Sequence, residues 1–258
     1  MKNKAIIFDI DGTAINSPQQ KIPTQRLIDA IRGAESSYYI CAATGRVWSF
    51  AEPILRAMKL VDPCVISSGT QICDPSNGKI LWQSNLETVD LEEALRIIKQ
   101  YPNYMAVYNE YTEDDYLYGG TPPTELKIDG PVYILEQKFV PQRVAPEIVA
   151  RLTAIEGIAC TLVVAQRPGF NDIHITNRNA TKEHAVDKLL TILKVDKEDT
   201  IGIGDGHNDI HLFNAVRHRV AMENSVEELK VAADEVIGNV VNDGFAAFLE
   251  KLAHKANV

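Results

Sequence analysis

The segment Phe8-Asp9-Ile10-Asp11-Gly12-Thr13 constrains the fold more than any other part of the chain. It sets two carboxylates and a turn directly after the apolar run Ala5–Ile7. Short apolar runs bounded by turn residues read as buried strands. In an open sheet of parallel strands, ligands bind at the carboxyl edge, where such a segment would lie. Extended backbone alternates sides, so Asp9 and Asp11 are expected to point the same way. Two carboxylates this close repel each other unless a cation sits between them or one holds a proton. One ionised nucleophile, one titrating acid/base and one divalent metal would resolve that conflict. The bland alternative, an Asp-Gly turn closing a buried strand, accounts for Asp11 and Gly12 but leaves Asp9 unexplained.

The rest of the first third supports a parallel sheet. Strand-like and helix-like patterns alternate through Ala5–Ile10, Thr24–Ile31, Tyr38–Ala43, Ser49–Leu60 and Cys64–Ser67, which is the rhythm of βαβ units. The last third repeats it, with a helix expected over Lys182–Leu193, a strand over Thr200–Gly204, a helix over Asp209–Val216, a strand over Val220–Met222 and a final helix over Gly244–Ala253. Between them the pattern changes. Gln71–Asp74 and Ile80–Gln83 flank the turn Pro75-Ser76-Asn77-Gly78, a hairpin signal. A helix over Asp90–Tyr101, a Tyr-rich strand region, a strand over Val132–Phe139, a helix over Pro146–Ile155 and strands over Thr161–Ala165 and Asp172–Thr176 follow. The chain therefore reads as α/β, with residues 1–83 and 179–258 forming one domain and residues 84–178 a second α/β unit inserted into it.

Further candidate site residues fall at the other strand ends. Gly202-Ile203-Gly204-Asp205-Gly206-His207-Asn208-Asp209 follows an apolar strand and brings Asp205 and Asp209 to the same edge as Asp9. Hard oxygen ligands from two strand tips suit Mg²⁺, which keeps positions for water and a substrate phosphate. A dinucleotide-binding glycine pattern would need Gly at 207, which is His. His207 and His211 have the spacing of a zinc helix, but Asn208 stands where that motif needs Glu, so surface or capping roles are expected. Thr44-Gly45-Arg46 after the strand Tyr38–Ala43, and Lys182 at a helix start, offer a hydroxyl, an open backbone N–H and a cation for an anion.

Taken in order, D-x-D-G-T at Asp9–Thr13, T-G-R at Thr44–Arg46, Lys182 and G-D-x-x-N-D at Gly204–Asp209 resemble the haloacid dehalogenase superfamily. The spacing is similar to its Cof-type branch, which carries a large α/β cap, and Val220–Ser225 and Asn242–Phe245 also match segments of that branch. The resemblance implies a Rossmann-like core with an inserted cap, and a phosphoric monoester hydrolase. By the same resemblance Asp9 would attack phosphorus and Asp11 would protonate the leaving alcohol and then activate water. Mg²⁺ would be held by the Asp9 carboxylate, the Asp11 backbone carbonyl and the Asp205 carboxylate, with Asp209 behind them. Thr44, the Gly45 backbone and Lys182 would hold the phosphoryl oxygens, assisted by Asn208 and the Ile10 backbone N–H. Asp at position 11 implies turnover, since the ion pumps of the superfamily carry Thr there and keep their aspartyl-phosphate longer. Ala14, Glu183-His184 and Glu223 depart from the usual pattern at positions without a chemical role, although Glu183 and His184 could face the substrate.

Charge and composition narrow the partners. Lys and Arg number 26 against 35 Asp and Glu, for a net charge of -9, so neither nucleic acid nor an anionic membrane is generally attracted. The N-terminal apolar stretch is interrupted by Asp9 too early for a secretory segment, no run reaches the ~18 apolar residues of a membrane span, and the four cysteines form no C-x-x-C pair. A cytoplasmic protein with reduced thiols is expected. Six of nine tyrosines fall in Tyr101–Tyr118, interleaved with the acidic run Glu110–Asp115. Such aromatics could stack on a sugar ring, but ordinary strand residues and a solvated loop are the better expectation. The substrate expected is a small phosphorylated metabolite, a sugar phosphate first. The alternatives are a sugar phosphomutase, a non-catalytic sugar-phosphate sensor and, against the charge balance, a nucleic-acid end phosphatase. Nothing in the sequence sets the number of subunits.

Overall fold

The computed structural model describes residues 2–17, 20–165 and 167–256. In chain order the first elements are β1 (Lys4–Phe8), α1 (Gln25–Ala34), β2 (Tyr38–Ala42), α2 (Trp48–Ala57), β3 (Cys64–Ile66), β4 (Gln71–Cys73) and β5 (Ile80–Gln83). The middle contributes α3 (Thr88–Ile98), β6 (Ala106–Tyr108), α4 (Glu113–Tyr118), β7 (Leu135–Pro141), α5 (Ala145–Leu152), β8 (Ile158–Val164) and β9 (Phe170–Asn177). The last third adds α6 (Lys182–Leu193), β10 (Thr200–Gly204), α7 (Ile210–Ala215), β11 (His218–Met222), α8 (Glu227–Ala232), β12 (Glu235–Ile237) and α9 (Gly244–Ala256). Contacts divide the chain into two compact units, Met1–Leu81 with Lys182–Val258, and Trp82–Thr181.

The first unit is built on a five-stranded sheet in the order β12-β11-β10-β1-β2, parallel throughout. Ala5, Ile6, Ile7 and Phe8 of β1 are all fully buried, because a central parallel strand is covered on both faces. Ile6 and Phe8 belong to the cluster that packs α1 and α9 on one face, where the Phe8 and Phe245 rings lie 4.9 Å apart. The chain leaves β1 towards β2 on one side and returns to β10 on the other, so the strand order reverses between β1 and β10. That reversal opens a crevice at the strands' carboxyl ends. Helix α8 and strand β12 are not expected from the sequence pattern: β12 is three residues long and carries Glu235, too short and too polar to read as a strand.

The second unit is a four-stranded antiparallel sheet, β6-β7-β9-β8. One face packs on α3 and α5 through Leu135, Ile173, Ile175, Ala94, Ile98, Ile148 and Leu152. The expected solvated loop at Glu110–Asp115 is instead the start of α4, because Thr112 caps it: its hydroxyl accepts from the Asp115 N–H and the Asp115 carboxylate accepts from the Thr112 N–H. Strand β7 also begins three residues later than its apolar pattern suggested and carries the buried charges Glu136 and Lys138. Lys138 donates to Glu136 at 3.1 Å and to Asp172 at 2.6 Å, a pairing that makes its burial tolerable. Tyr111 donates to Glu136 and the Tyr116 ring lies under the Lys138 ammonium, so these two tyrosines are parts of that buried network.

Candidate active site

Strand β1 ends at Phe8, and the following residues turn sharply. The Asp9 N–H donates to Ile203 O at 2.9 Å, tying it to β10, and the Ile10 carbonyl accepts from the N–H groups of Ala14 and Ile15. Asp9 and Asp11 therefore do not share one environment, contrary to the alternation expected of extended backbone. Each has its own cation. Asp9 is buried, and its Oδ1 accepts from Lys182 Nζ at 2.6 Å. Asp11 is gripped by Arg46, with Nε on Oδ2 at 2.8 Å and Nη2 on Oδ1 at 2.6 Å, the two-pronged geometry of a guanidinium on a carboxylate. The pairing with Lys182 and Arg46 thus offsets part of the like-charge conflict read from the sequence.

Lys182, at the first turn of α6, also donates to Asp209 Oδ1 at 2.7 Å. Asp209 is fully buried, and its Oδ2 accepts from the N–H groups of Asp205 and Gly206, both at 3.0 Å. Both Asp209 oxygens are thereby committed, Oδ1 to Lys182 and Oδ2 to the turn after β10. Asp205 projects from that turn, and its Oδ1 accepts from the Thr13 hydroxyl at 3.0 Å. Gly12 is the floor of this arrangement. Its φ is +81°, and a Cβ there would lie 2.1 Å from Asp205 Oδ2, so any other residue would strain the backbone and displace the Asp205 carboxylate. The Gly12 carbonyl is held by Asn224 Nδ2 at 2.8 Å, and the Asn224 side-chain oxygen accepts from the Val240 N–H.

The Thr44–Arg46 loop follows β2 at the same edge. Thr44 is buried, and its hydroxyl accepts from the Arg46 N–H at 3.2 Å. Ser67 and Ser68 clamp the loop, donating their N–H groups to Arg46 O and Thr44 O. Both serines have left-handed backbone, with φ of 52° and 58°, a conformation that costs energy outside glycine. Gly45 is partly exposed beside them, Asn208 is half-buried in the turn after β10, and the Ile10 side chain is buried in the core. His207 and His211 do not converge. His207 Nδ1 lies 3.0 Å from Glu228, and His211 Nδ1 lies 3.7 Å from Glu183. The Glu183 carboxylate also accepts from Asn214 Nδ2 at 3.1 Å, which ties α6 to α7.

Carboxylate oxygens of Asp9, Asp205 and Asp209 lie within 4.8 Å of one another. Burial raises the Asp9 carboxyl well above the ordinary range, with Lys182 opposing and Asp209 and Asp205 adding to the rise. Burial and Asp209 push Asp205 up to about 7. One ammonium among three carboxylates, two of them buried, leaves negative charge uncompensated, and the donors are all hard oxygens. A divalent cation between Asp9 and Asp205 fits this charge and donor set, whereas Asp209 is already spent on Lys182 and two N–H groups. Sequence motifs pointed to Asp9, Lys182, Asp205 and Asp209, and the structure brings these four together. Arg46 and Thr13 had been quoted only as motif letters; their partners lie 35 and 192 residues away, beyond what local spacing shows.

A family model for haloacid dehalogenase-like hydrolases matches residues 6–249. The chain is 41% identical over 80 residues to "Phosphoglycolate phosphatase 1" of Saccharolobus solfataricus, a match covering 31% of this chain and 35% of that protein. The chain thus matches only about a third of that relative's length. It is 23% identical over 272 residues to the "Pyridoxal phosphate phosphatase YbhA" of Escherichia coli, covering 96% of this chain and 98% of the relative. Among solved structures, a subclass IIB sugar phosphatase, BT4131, superposes with a TM-score of 0.76 at 19% identity, over 96% of this chain and 98% of that one. That likeness is one of fold. With the motif residues gathered at one sheet edge and the family matched over nearly the whole chain, this protein belongs to the haloacid dehalogenase-like hydrolases.

Proposed function

We propose that the chain is a Mg²⁺-dependent phosphatase that hydrolyses small phosphomonoesters, sugar phosphates foremost, through an aspartyl-phosphate on Asp9. The observation that carries this reading is the buried Asp9 carboxylate at the β1 tip, fixed by Lys182 at 2.6 Å and faced by Asp205. The named relatives agree with it, being phosphatases of phosphoglycolate and of pyridoxal phosphate. Among the described residues no helix is long and apolar enough to cross a membrane, and all four cysteines are free.

In the first step a carboxylate oxygen of Asp9 attacks phosphorus, forming the P–O bond of an acyl phosphate while the bond to the substrate alcohol breaks. Asp11 gives its proton to the departing oxygen. In the second step Asp11 takes a proton from water as that water attacks phosphorus; inorganic phosphate leaves and the Asp9 carboxylate is regenerated. Lys182, Thr44 and the Gly45 N–H, with Asn208 and the Ile10 N–H, orient the phosphoryl oxygens, and such positioning is most of what phosphoryl transfer requires. The Asp9 and Asp205 carboxylates and the Asp11 backbone carbonyl are the groups that would hold Mg²⁺, with Asp209 behind them, and the bound ion supplies charge neutralisation at the phosphoryl oxygens. Arg46 orients Asp11 at the site, and Asp11 acts as the acid in its protonated form.

The test is phosphate release from sugar phosphates, phosphoglycolate, pyridoxal phosphate and nucleotides with Mg²⁺, comparing wild type with Asp9→Asn. Release confined to one chemical class and abolished in the variant is the expected result. Transfer of the phosphoryl group to a second sugar without free phosphate would identify a mutase, and binding without either would identify a sensor.

A further inference from the structure

We infer that the outer edge of β8 is an interface for a second copy of this chain, joined strand to strand about a two-fold axis. In the antiparallel sheet β8 pairs with β9 alone. The opposite edge of that sheet is closed, because Thr121 exchanges two backbone hydrogen bonds with Ala106 of β6. No such segment pairs with β8 among the described residues. Its sequence, Ile-Ala-Cys-Thr-Leu-Val-Val, has no charge, no proline and no glycine over seven residues. Open edges of this length normally carry Lys, Pro or a bulge that stops another strand from adding.

The register of β8 defines what can add to it. The Ala165 N–H bonds to Phe170 O and the Gly157 carbonyl accepts from the Arg178 N–H, both across to the β9 side. Backbone direction alternates, so residues 157, 159, 161, 163 and 165 face β9, and Ile158, Cys160, Leu162 and Val164 turn their N–H and C=O groups outward. An antiparallel copy uses all four when Thr161 faces Thr161, which pairs Ile158 with Val164 and Cys160 with Leu162 in both directions. The side chains agree with that alignment. Ile158 and Cys160 sit on the helix-covered face, and Leu162 and Val164 continue the same row in the open, 39% and 75% exposed. Self-pairing lays the exposed half of each row beside the packed half of the other. These features favour a second copy over an unrelated peptide.

Light scattering across a dilution series from submillimolar to micromolar full-length protein should show a dimer that dissociates on dilution. Leu162→Lys, at an exposed position, should raise the dissociation constant tenfold or more while circular dichroism and melting stay unchanged. Thr161→Cys, which sets two thiols opposite each other at the axis, should give a covalent dimer with oxidised glutathione, and wild type should not. A wild type that is monomeric throughout the series overturns the inference. So does a dimer that Leu162→Lys leaves intact and Thr161→Cys fails to cross-link.

Discussion

Replacing Lys182 by Met tests the electrostatics of the site without adding bulk. The ammonium lies 2.6 Å from Asp9 and 2.7 Å from Asp209, and all three groups are buried. At an effective dielectric constant of about 20 each contact is worth roughly 6 kcal/mol gross, and much of that is offset by the cost of burying the charges. Removing one partner of a buried pair costs about 3–5 kcal/mol net, because the remaining carboxylates stay buried without a counterion. For the unit that carries the site, this is a drop of about 6–20 °C in melting temperature. The loss has a definite pH sense. Burial already lifts the Asp9 carboxyl and Lys182 partly restrains it, so the variant's folded state binds a proton more tightly still. A folded-state pKa above the unfolded value makes the destabilisation full at alkaline pH and smaller as pH falls through it. Calorimetric melting with a chelator, from weakly acid to alkaline pH, reads both effects. A variant that melts within about 1 kcal/mol of wild type at alkaline pH would refute the view that Lys182 neutralises this cluster.

Three other perturbations bear on the same structure. Gly12→Ala forces a Cβ to within 2.1 Å of Asp205 Oδ2 at a φ of +81°, so Asp205 must move; about 1–2 kcal/mol of backbone strain and a weaker Mg²⁺ dependence, read by metal titration of activity, are expected. Arg46→Ala should leave stability within about 1 kcal/mol, since the Arg46–Asp11 pair is 24% and 38% exposed. It should nonetheless lower kcat by tenfold or more if Asp11 is the acid it positions, and an unchanged kcat would remove Arg46 from the mechanism. In the second unit burial alone would raise Glu136, yet His174 and Lys138 hold it down to about 2. Its contribution to stability is therefore complete above its unfolded value and lost as pH falls towards 2, and Glu136→Gln should flatten that acid limb in melting curves.

How far these features could be read in advance follows from their range along the chain. The parallel sheet and the carboxylates at its edge were legible because a strand and the turn at its tip lie within a dozen residues, as at Ala5–Thr13 and Thr200–Asp209. The separate pairing of Asp9 and Asp11 was not, because it depends on Lys182 and Arg46 arriving from distant segments. Glu136, Lys138 and Asp172 interrupt apolar strands, and only their mutual pairing across β7 and β9 makes such burial possible. Strand β12 escaped notice for a different reason: it borrows its order from β11 rather than from its own three residues.

The central position of β1 has a consequence for biosynthesis. Its partner β2 follows within the first 42 residues, but its other neighbour, β10, and the lysine that binds Asp9 from 173 residues away emerge much later. At about 5–20 residues per second the ribosome needs roughly 8–30 s to pass from one to the other. During that interval the nascent chain displays one unpaired edge of β1, and the Asp9 carboxylate at its tip has no Lys182 counterion. The sheet is thus complete around β1 only once β10 has been made, and the segment from β1 to β2 is the stretch on which a cotranslational chaperone has the most to protect.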